Sequence, residues 1–367
     1  MRKRLIPVVL ALALVLTACG KEAEGASDTG EAQVAVQEEG GEAGKEQAKT
    51  EEPATGEPEP TQDPAPEDLK FEFNPHVYSK TLATKFGPEY WESFYNFCDA
   101  LRAGEDTFEC ASQEVYDWCT EDVILCALFP AACMKVTGVS NDGTVPFENG
   151  VGRIYYQMPK DEFVKREKDF EDMITNILNE NIRPDYGDFE KTLALYIYFT
   201  GEYTYDEDIF DHPGDGASYN TFMAKNGVCG ELAIAYAYLL LQCGVDAVEA
   251  ENFDIAHSFN YVVINDKGYY IDPTWGLRSE YDVDHTPLHY FLMTENDRLE
   301  DGCSIENNRI ALLFYYHSKV GEHTVSAADD TYAAFKRTQF LSMDTDRNAV
   351  KLLELETGKT REFYYED

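Results

Sequence analysis

The chain has 367 residues, 44% of them hydrophobic, and a formal net charge of −39 at pH 7. A chain of this length can bury a sufficient core without disulfides. Because phosphate backbones are bound by basic surfaces, this charge argues against nucleic acid as a partner.

The first 19 residues have the pattern of an export signal. Three basic residues precede an apolar run, and small residues precede Cys19. The run is shorter than the roughly 20 residues that a membrane-spanning helix needs. Residues 16–19 resemble a bacterial lipobox, which implies that Cys19 is lipidated and anchors the chain on the outer side of the cell membrane.

Residues 20–68 have a different composition. They contain 15 acidic and 3 basic side chains, no aromatic residue and no Leu, Ile or Met. Such a segment has too little apolar surface to offset the entropy of ordering, and its charges repel one another. The pattern predicts a disordered, extended acidic tether.

Apolar residues recur at helical spacing in the next part of the chain. Helices are predicted from Pro88, from about Ser112 to Leu128, from Pro159 and after Asp188. Residues 152–157 are strand-like. The pattern predicts that residues 69–183 form a mainly helical N-terminal region.

The segment after Val228 is apolar on every face. Between Cys229 and Cys243 the only charged residue is Glu231, which is typical of a buried central helix. Gly244 is its predicted end. The preceding residues 212–226 are rich in Gly, Asp and Ser and predict a loop.

Residues rich in β-branched and aromatic side chains follow this helix. They predict strands at 245–249, 259–264 and 269–271, with a four-residue turn at 265–268. In that register Tyr261 pairs with Asp272.

A second hairpin is predicted from residues 335–343 and 349–355. Its turn, 344–348, has an Asp-x-Asp-x-Asn pattern but does not fit a calcium-binding EF-hand, because Ala349 takes the place of the required glycine. These patterns predict an α+β fold with a core at 184–305 and a C-terminal β extension at 306–367. The central helix, which carries Cys229, would pack on an antiparallel sheet.

Eight cysteines follow Cys19, and none of their spacings is CxxC. A zinc site is therefore not expected. Cys98 and Cys119 are expected to be small buried hydrophobic residues. A disulfide among the cysteines from Cys110 to Cys133 remains open.

One cysteine is positioned for nucleophilic chemistry. Cys229 begins the central helix, where unpaired N–H groups favour a thiolate. An imidazole is needed to protonate a leaving amine, and a third group must orient that imidazole. His257 and Asp272 are the candidates. In the predicted register they share a face but lie four residues apart, about 13 Å, so the strands would need strong twist or a bulge.

The sequence around these residues resembles the transglutaminase-like superfamily, a branch of papain-like thiol enzymes with the order Cys, His, Asp. The wider layout resembles that of Gram-positive lipoproteins that carry this domain. The matching segments are YNTFMAKNGVC at 219–229, AHSFNYVVI at 256–264, GYYIDPTWG at 268–276 and HYFLMTEND at 289–297, with DFEKTLALYIYFTGEYTYD at 188–206 as the lead-in.

The resemblance implies a papain/transglutaminase-like core. It also implies that Cys229 is the nucleophile, His257 the acid-base residue and Asp272 the orienting carboxylate. Tyr219 is implied near the oxyanion site, and Asn260 and Trp275 as supporting residues.

Three functions are consistent with this sequence. The first is a thiol enzyme that forms a thioester from an amide or peptide bond of a protein or cell-wall peptide, then transfers the acyl group to water or to an amine. The second is a peptide- or wall-binding module with an idle triad. The third is an adaptor whose helical region, 69–183, binds a partner. No cofactor and no metal are implied.

Overall fold

The described residues of the computed structural model are 70–141, 143–207, 218–279, 285–316 and 325–366. They all belong to one compact unit. The predicted export signal, the tether and the lipidated Cys19 lie outside the described residues. The division of residues 69–367 into three parts stays a prediction.

Ten α-helices lie within the described residues: α1 (Lys80–Ala83), α2 (Pro88–Ala103), α3 (Gln113–Cys119), α4 (Asp122–Leu128), α5 (Lys160–Asn181), α6 (Asp188–Glu202), α7 (Ser218–Ala224), α8 (Cys229–Gln242), α9 (Glu295–Glu300) and α10 (Ala311–Tyr315). None of the helices in this part of the chain is both long enough and apolar enough to cross a membrane.

The strands of the same ranges are β1 (Thr107–Glu109), β2 (Val136–Thr137), β3 (Phe147–Glu148), β4 (Val151–Arg153), β5 (Tyr155–Tyr156), β6 (Thr204–Tyr205), β7 (Asn226–Gly227), β8 (Asp246–Asn252), β9 (His257–Ile264), β10 (Lys267–Ile271), β11 (Asn308–Ile310), β12 (Thr338–Asp344), β13 (Ala349–Glu354) and β14 (Thr360–Tyr364).

Helix α8 is the centre of the fold, and it packs on a four-stranded antiparallel sheet of order β10-β9-β8-β11. The helix begins at Cys229 because Val228 is extended and the Glu231 carboxylate accepts the Val228 N–H at 3.1 Å. It ends where Gly244 takes a positive φ of 87°. This confirms the predicted α+β fold, with a cysteine-bearing helix on an antiparallel sheet.

The predicted register of β9 and β10 is wrong by two residues. Lys267 pairs with Ile264 and Tyr270 with Tyr261, so the turn has two residues instead of four. Asn265 and Asp266 both have positive φ, 51° and 61°, which is the geometry of a tight hairpin turn. The sequence pattern missed this turn because Asn265-Asp266 lacks the glycine that usually marks it.

The N-terminal helices pack around aromatic side chains. Trp118 of α3 lies within 6.0 Å, centroid to centroid, of Trp91, Phe94 and Phe86. The single helix predicted from 112 to 128 is two helices, because Glu121 is extended and restarts the chain as α4. The predicted strand at 152–157 is likewise split between β4 and β5, which belong to different sheets.

The loop predicted at 212–226 is wrong at Ser218–Ala224, because these residues form helix α7. The Phe222 ring contacts Phe170 of α5 and Tyr238 of α8, and the Ser218 hydroxyl donates to the Cys126 carbonyl. Tertiary packing therefore overrides the polar composition here. Residues 212–217 of that predicted loop lie outside the described residues.

The predicted C-terminal hairpin is present as β12 and β13, and β14 adds a third strand that the sequence pattern missed. Its turn is closed by the Arg347 N–H, which donates to the Asp344 carboxylate at 3.2 Å.

One disulfide joins Cys126 and Cys133. Cys98 and Cys119 are buried, as expected. The described residues hold no group of three or more His, Cys, Asp or Glu side chains that could bind a metal ion.

A buried carboxyl pair lies between α2 and α5. Glu167 and Glu171 are one helical turn apart and are 3% and 6% exposed. Arg102 Nε contacts both, at 3.8 Å from Glu167 Oε1 and closer to Glu171 Oε1. Burial, reinforced by Glu171, raises the pKa of Glu167 to about 9. Glu167 therefore keeps its proton at neutral pH.

We expect Glu167→Gln to stabilise the protein at alkaline pH. Because the folded pKa of Glu167 is raised, its contribution to stability is full below the usual value of 4.5 and is lost as the pH rises toward 9. A glutamine cannot ionise, so the variant avoids this loss. The difference in thermal midpoint between the variant and wild type should therefore grow by roughly 4 °C from about pH 6 to pH 9.

The matched control is Glu171→Gln, which removes the closer partner of Arg102 and should destabilise the protein at both pH values. A difference between Glu167→Gln and wild type that stays constant with pH would contradict the raised pKa.

Candidate active site

The carboxylate of Asp272 is fully buried and has three nitrogen neighbours. Its Oδ2 lies 2.8 Å from His257 Nε2 and 3.2 Å from Arg298 Nη1, and its Oδ1 accepts the Trp275 backbone N–H at 2.9 Å. Burial alone would raise the pKa of Asp272, but the neighbouring imidazole and guanidinium outweigh it and hold that pKa below its usual value. Asp272 is therefore a buried anion.

The observed register explains how His257 reaches Asp272. Since Ile271 pairs with Asn260, the next register position places Asp272 opposite Phe259, two residues from His257 on the same face. Two residues correspond to about 7 Å along a strand, a gap that an imidazole and a carboxylate can span. The strong twist or bulge that the predicted register required is not needed, because the observed register halves the separation and its pairing is continuous.

A tight turn after β10 holds Asp272 in place. The Gly276 N–H donates to the Asp272 carbonyl at 3.0 Å, and the Asp272 N–H donates to the Tyr290 carbonyl at 2.9 Å. A Cβ on Gly276 would lie 2.0 Å from the Tyr196 hydroxyl. Only glycine therefore fits this turn against α6.

Trp275 covers the imidazole. The two rings are stacked with centroids 4.6 Å apart and planes 13° apart, and the tryptophan is 38% exposed. Its side chain lies on His257 and its backbone N–H binds Asp272, and its supporting role stays a prediction.

Arg298 is the charged residue of this site that the sequence reasoning missed. Its side chain is fully buried, and its guanidinium lies 4.2 Å from the Phe259 ring and 5.0 Å from the Trp275 ring. It also contacts Asp301 at 3.1 Å. An arginine in the polar sequence ENDRLE of α9 is typical of a solvated helix face, so only its position directly after HYFLMTEND pointed to the site.

Cys229 is the first residue of α8 and is 1% exposed. The helix start lies against β9, because a Cβ on the next residue, Gly230, would be 3.6 Å from Ser258 Oγ. Ser258 follows His257 directly in the chain. The structure therefore brings the start of the cysteine helix close to the first residues of β9, the strand that carries the imidazole.

Glu249 lies beside the same helix start. Its Oε1 is 3.3 Å from the Cβ position of Gly230, and its side chain hydrogen-bonds with Ser258. Burial, and then the charge of Glu251, raises the pKa of Glu249 to about 8. Glu249 is therefore largely uncharged at neutral pH. No pattern in the sequence indicated this neutral carboxyl group, since alternating Glu residues in a strand usually face solvent.

The two remaining candidates have different surroundings. The Asn260 amide donates to the Ala233 carbonyl of α8 at 2.8 Å, which fastens β9 to the cysteine helix. The Tyr219 ring lies 3.1 Å from the Arg166 guanidinium and 5.5 Å from Phe170. Those contacts are with α5, and the oxyanion role of Tyr219 stays a prediction.

A profile of the transglutaminase-like superfamily matches residues 175–271. The match includes Cys229 and His257 and ends one residue before Asp272. The fold and this match define a transglutaminase-like domain within the chain.

Among solved structures, the chain is similar to a proposed cysteine protease from Cytophaga hutchinsonii, with 18% identity and a TM-score of 0.21. The alignment covers 28% of this chain and 34% of that chain. No curated protein matches this sequence.

Arg298→Met should lower the free energy of unfolding by about 3 kcal/mol, because it leaves the buried Asp272 carboxylate without its cation. The matched control is Asp301→Asn, which removes the more accessible partner of the same guanidinium and should cost less than about 1 kcal/mol. Urea unfolding measures both changes. Equal costs for the two variants would contradict the central role of the Arg298–Asp272 pair.

Proposed function

We propose that this protein is a thiol enzyme that acts on amide or peptide bonds through a thioester on Cys229. The Cys229 thiol gives its proton to the His257 imidazole and its sulfur attacks the carbonyl carbon, and the C–N bond breaks as the imidazolium passes that proton to the leaving amine. Water or a second amine then attacks the thioester, gives up a proton to the imidazole and releases the thiol. Asp272 orients the imidazole and stabilises its charged form.

The buried contact between His257 and Asp272 carries this proposal. Burying a carboxylate costs stability unless it is paired and hydrogen-bonded, and here the carboxylate is paired with an imidazole beside the start of the cysteine helix. Because Nε2 of His257 faces Asp272, we assign proton transfer to and from the reacting groups to Nδ1 of the same imidazole. The helix start favours a thiolate at Cys229.

The substrate and location are part of the same proposal. A lipidated Cys19 and the acidic tether would hold the enzyme on the outer side of the membrane, where surface proteins and cell-wall peptides are the available amides. Hydrolysis would make it a protease or amidase, and transfer to an amine would make it a cross-linking enzyme. The fold itself does not select between these acceptors.

The runner-up function is a peptide- or wall-binding module with an idle triad. The observation that favours it is burial, since Cys229 is 1% exposed and His257 is 4% exposed. An active enzyme with this structure must open toward its substrate, whereas a binding module has no such requirement.

Alkylation of Cys229 by iodoacetamide, measured across a pH series, tests for an activated thiol. We expect Cys229 to react well below about pH 8, and His257→Ala to slow that reaction roughly tenfold at neutral pH. Cys243, at the other end of α8, is an internal control, because burial raises its pKa to about 12. Ordinary thiol titration of Cys229, unchanged in His257→Ala, would favour the binding module.

Incubation with wall peptides and a fluorescent amine tests the reaction itself. Mass spectrometry should detect cleaved peptide, amine-labelled peptide or an acyl adduct on Cys229, and Cys229→Ala should lose all three. If the Cys229 thiol is reactive but none of these products forms, the proposal would be restricted to an unidentified substrate class. A product that persists in Cys229→Ala would overturn the proposal.

A further inference from the structure

We propose that Cys110 and Cys119 form a second disulfide by exchange with a low-molecular-weight disulfide such as cystine. This site lies in the N-terminal helical region and does not depend on the proposed enzyme activity. It would join the residue after β1 to the last residue of α3.

The two thiols already contact each other through a hydrogen bond. Cys110 follows β1 directly, and its N–H donates to the Gly150 carbonyl at 2.9 Å, so its backbone is held by the sheet. Cys119 ends α3, whose start is fixed by the Ser112 side chain, which accepts the Val115 N–H at 3.2 Å. Both partners therefore sit on ordered backbone.

The two cysteines differ in a way that assigns their roles. The hydrogen bond from Cys119 lowers the pKa of Cys110 to about 7, with burial opposing it. Burial raises the pKa of Cys119 well above its usual value. Cys110 also keeps 6% exposure, whereas Cys119 has none. Cys110 is thus the attacking thiol and Cys119 the resolving thiol.

The chemistry takes two exchange steps. The Cys110 thiolate attacks one sulfur of the oxidant's disulfide, forms a mixed disulfide and releases one thiol. Cys119 then loses its proton and attacks the Cys110 sulfur, which releases the second thiol. The protein loses two hydrogen atoms as two protons and two electrons, and the electrons reduce the oxidant.

Peptide mapping of the full chain tests this without any mutation. The protein is treated with cystine, blocked with N-ethylmaleimide, digested without reduction by a glutamate-specific protease and analysed by mass spectrometry. Cleavage after glutamate separates the competing cysteines into residues 93–105 with Cys98, 110–114 with Cys110, 115–121 with Cys119 and 122–148 with Cys126 and Cys133.

We expect the 110–114 and 115–121 peptides to be linked to each other, with the mass of two hydrogen atoms missing. A link between 115–121 and 93–105 would overturn the pairing in favour of Cys98, which lies near Cys119. Two alkylated, unlinked peptides would overturn the disulfide altogether.

Two variants separate the roles of the pair. Cys119→Ser should accumulate cysteine bound to Cys110, because the resolving thiol is missing, whereas Cys110→Ser should leave Cys119 unmodified. Cys98→Ser is the matched control and should keep the linked peptides. Accumulation at Cys119 in Cys110→Ser would overturn the assigned order of attack.

Discussion

The buried carboxylate of Asp272 is the constraint that organises the second half of the chain. An anion without exposure to water needs hydrogen bonds and a cation to offset its desolvation. Its partners come from three separate segments, namely β9 with His257, the turn with Trp275 and α9 with Arg298. These contacts bring the three segments to one point. The same contacts orient the imidazole that the proposed chemistry needs.

The apolar pattern of α8 has its explanation in packing on two sides. One side of the helix faces the sheet, where Asn260 donates to the Ala233 carbonyl. The other side faces α5 and α7, where the Tyr238 ring contacts Phe170 and Phe222. A helix covered on both sides has no solvated face, which is why its sequence carries a single charge. That charge, Glu231, caps the helix start.

The sequence predicted the features that depend on local pattern, such as the start and end of α8 and the order of the three strands after it. The prediction from sequence failed where contacts between residues far apart in the chain determine the structure. The turn at Asn265 needed two positive φ values without a glycine, and α7 formed because Phe222 packs on α5 and α8. Arg298 was missed because its burial depends on Asp272, which is 26 residues away in the chain. Contacts between such distant residues produce no periodic pattern in the sequence.

The stacking of Trp275 on His257 has an optical consequence. Of the three tryptophans in the chain, Trp91 and Trp118 are buried in the N-terminal region, and Trp275 alone is partly exposed. Its indole lies 4.6 Å from the imidazole, and a protonated imidazole quenches indole emission at such a distance. The fluorescence of this one side chain therefore reports whether the imidazole beneath it carries a charge, and no label has to be attached.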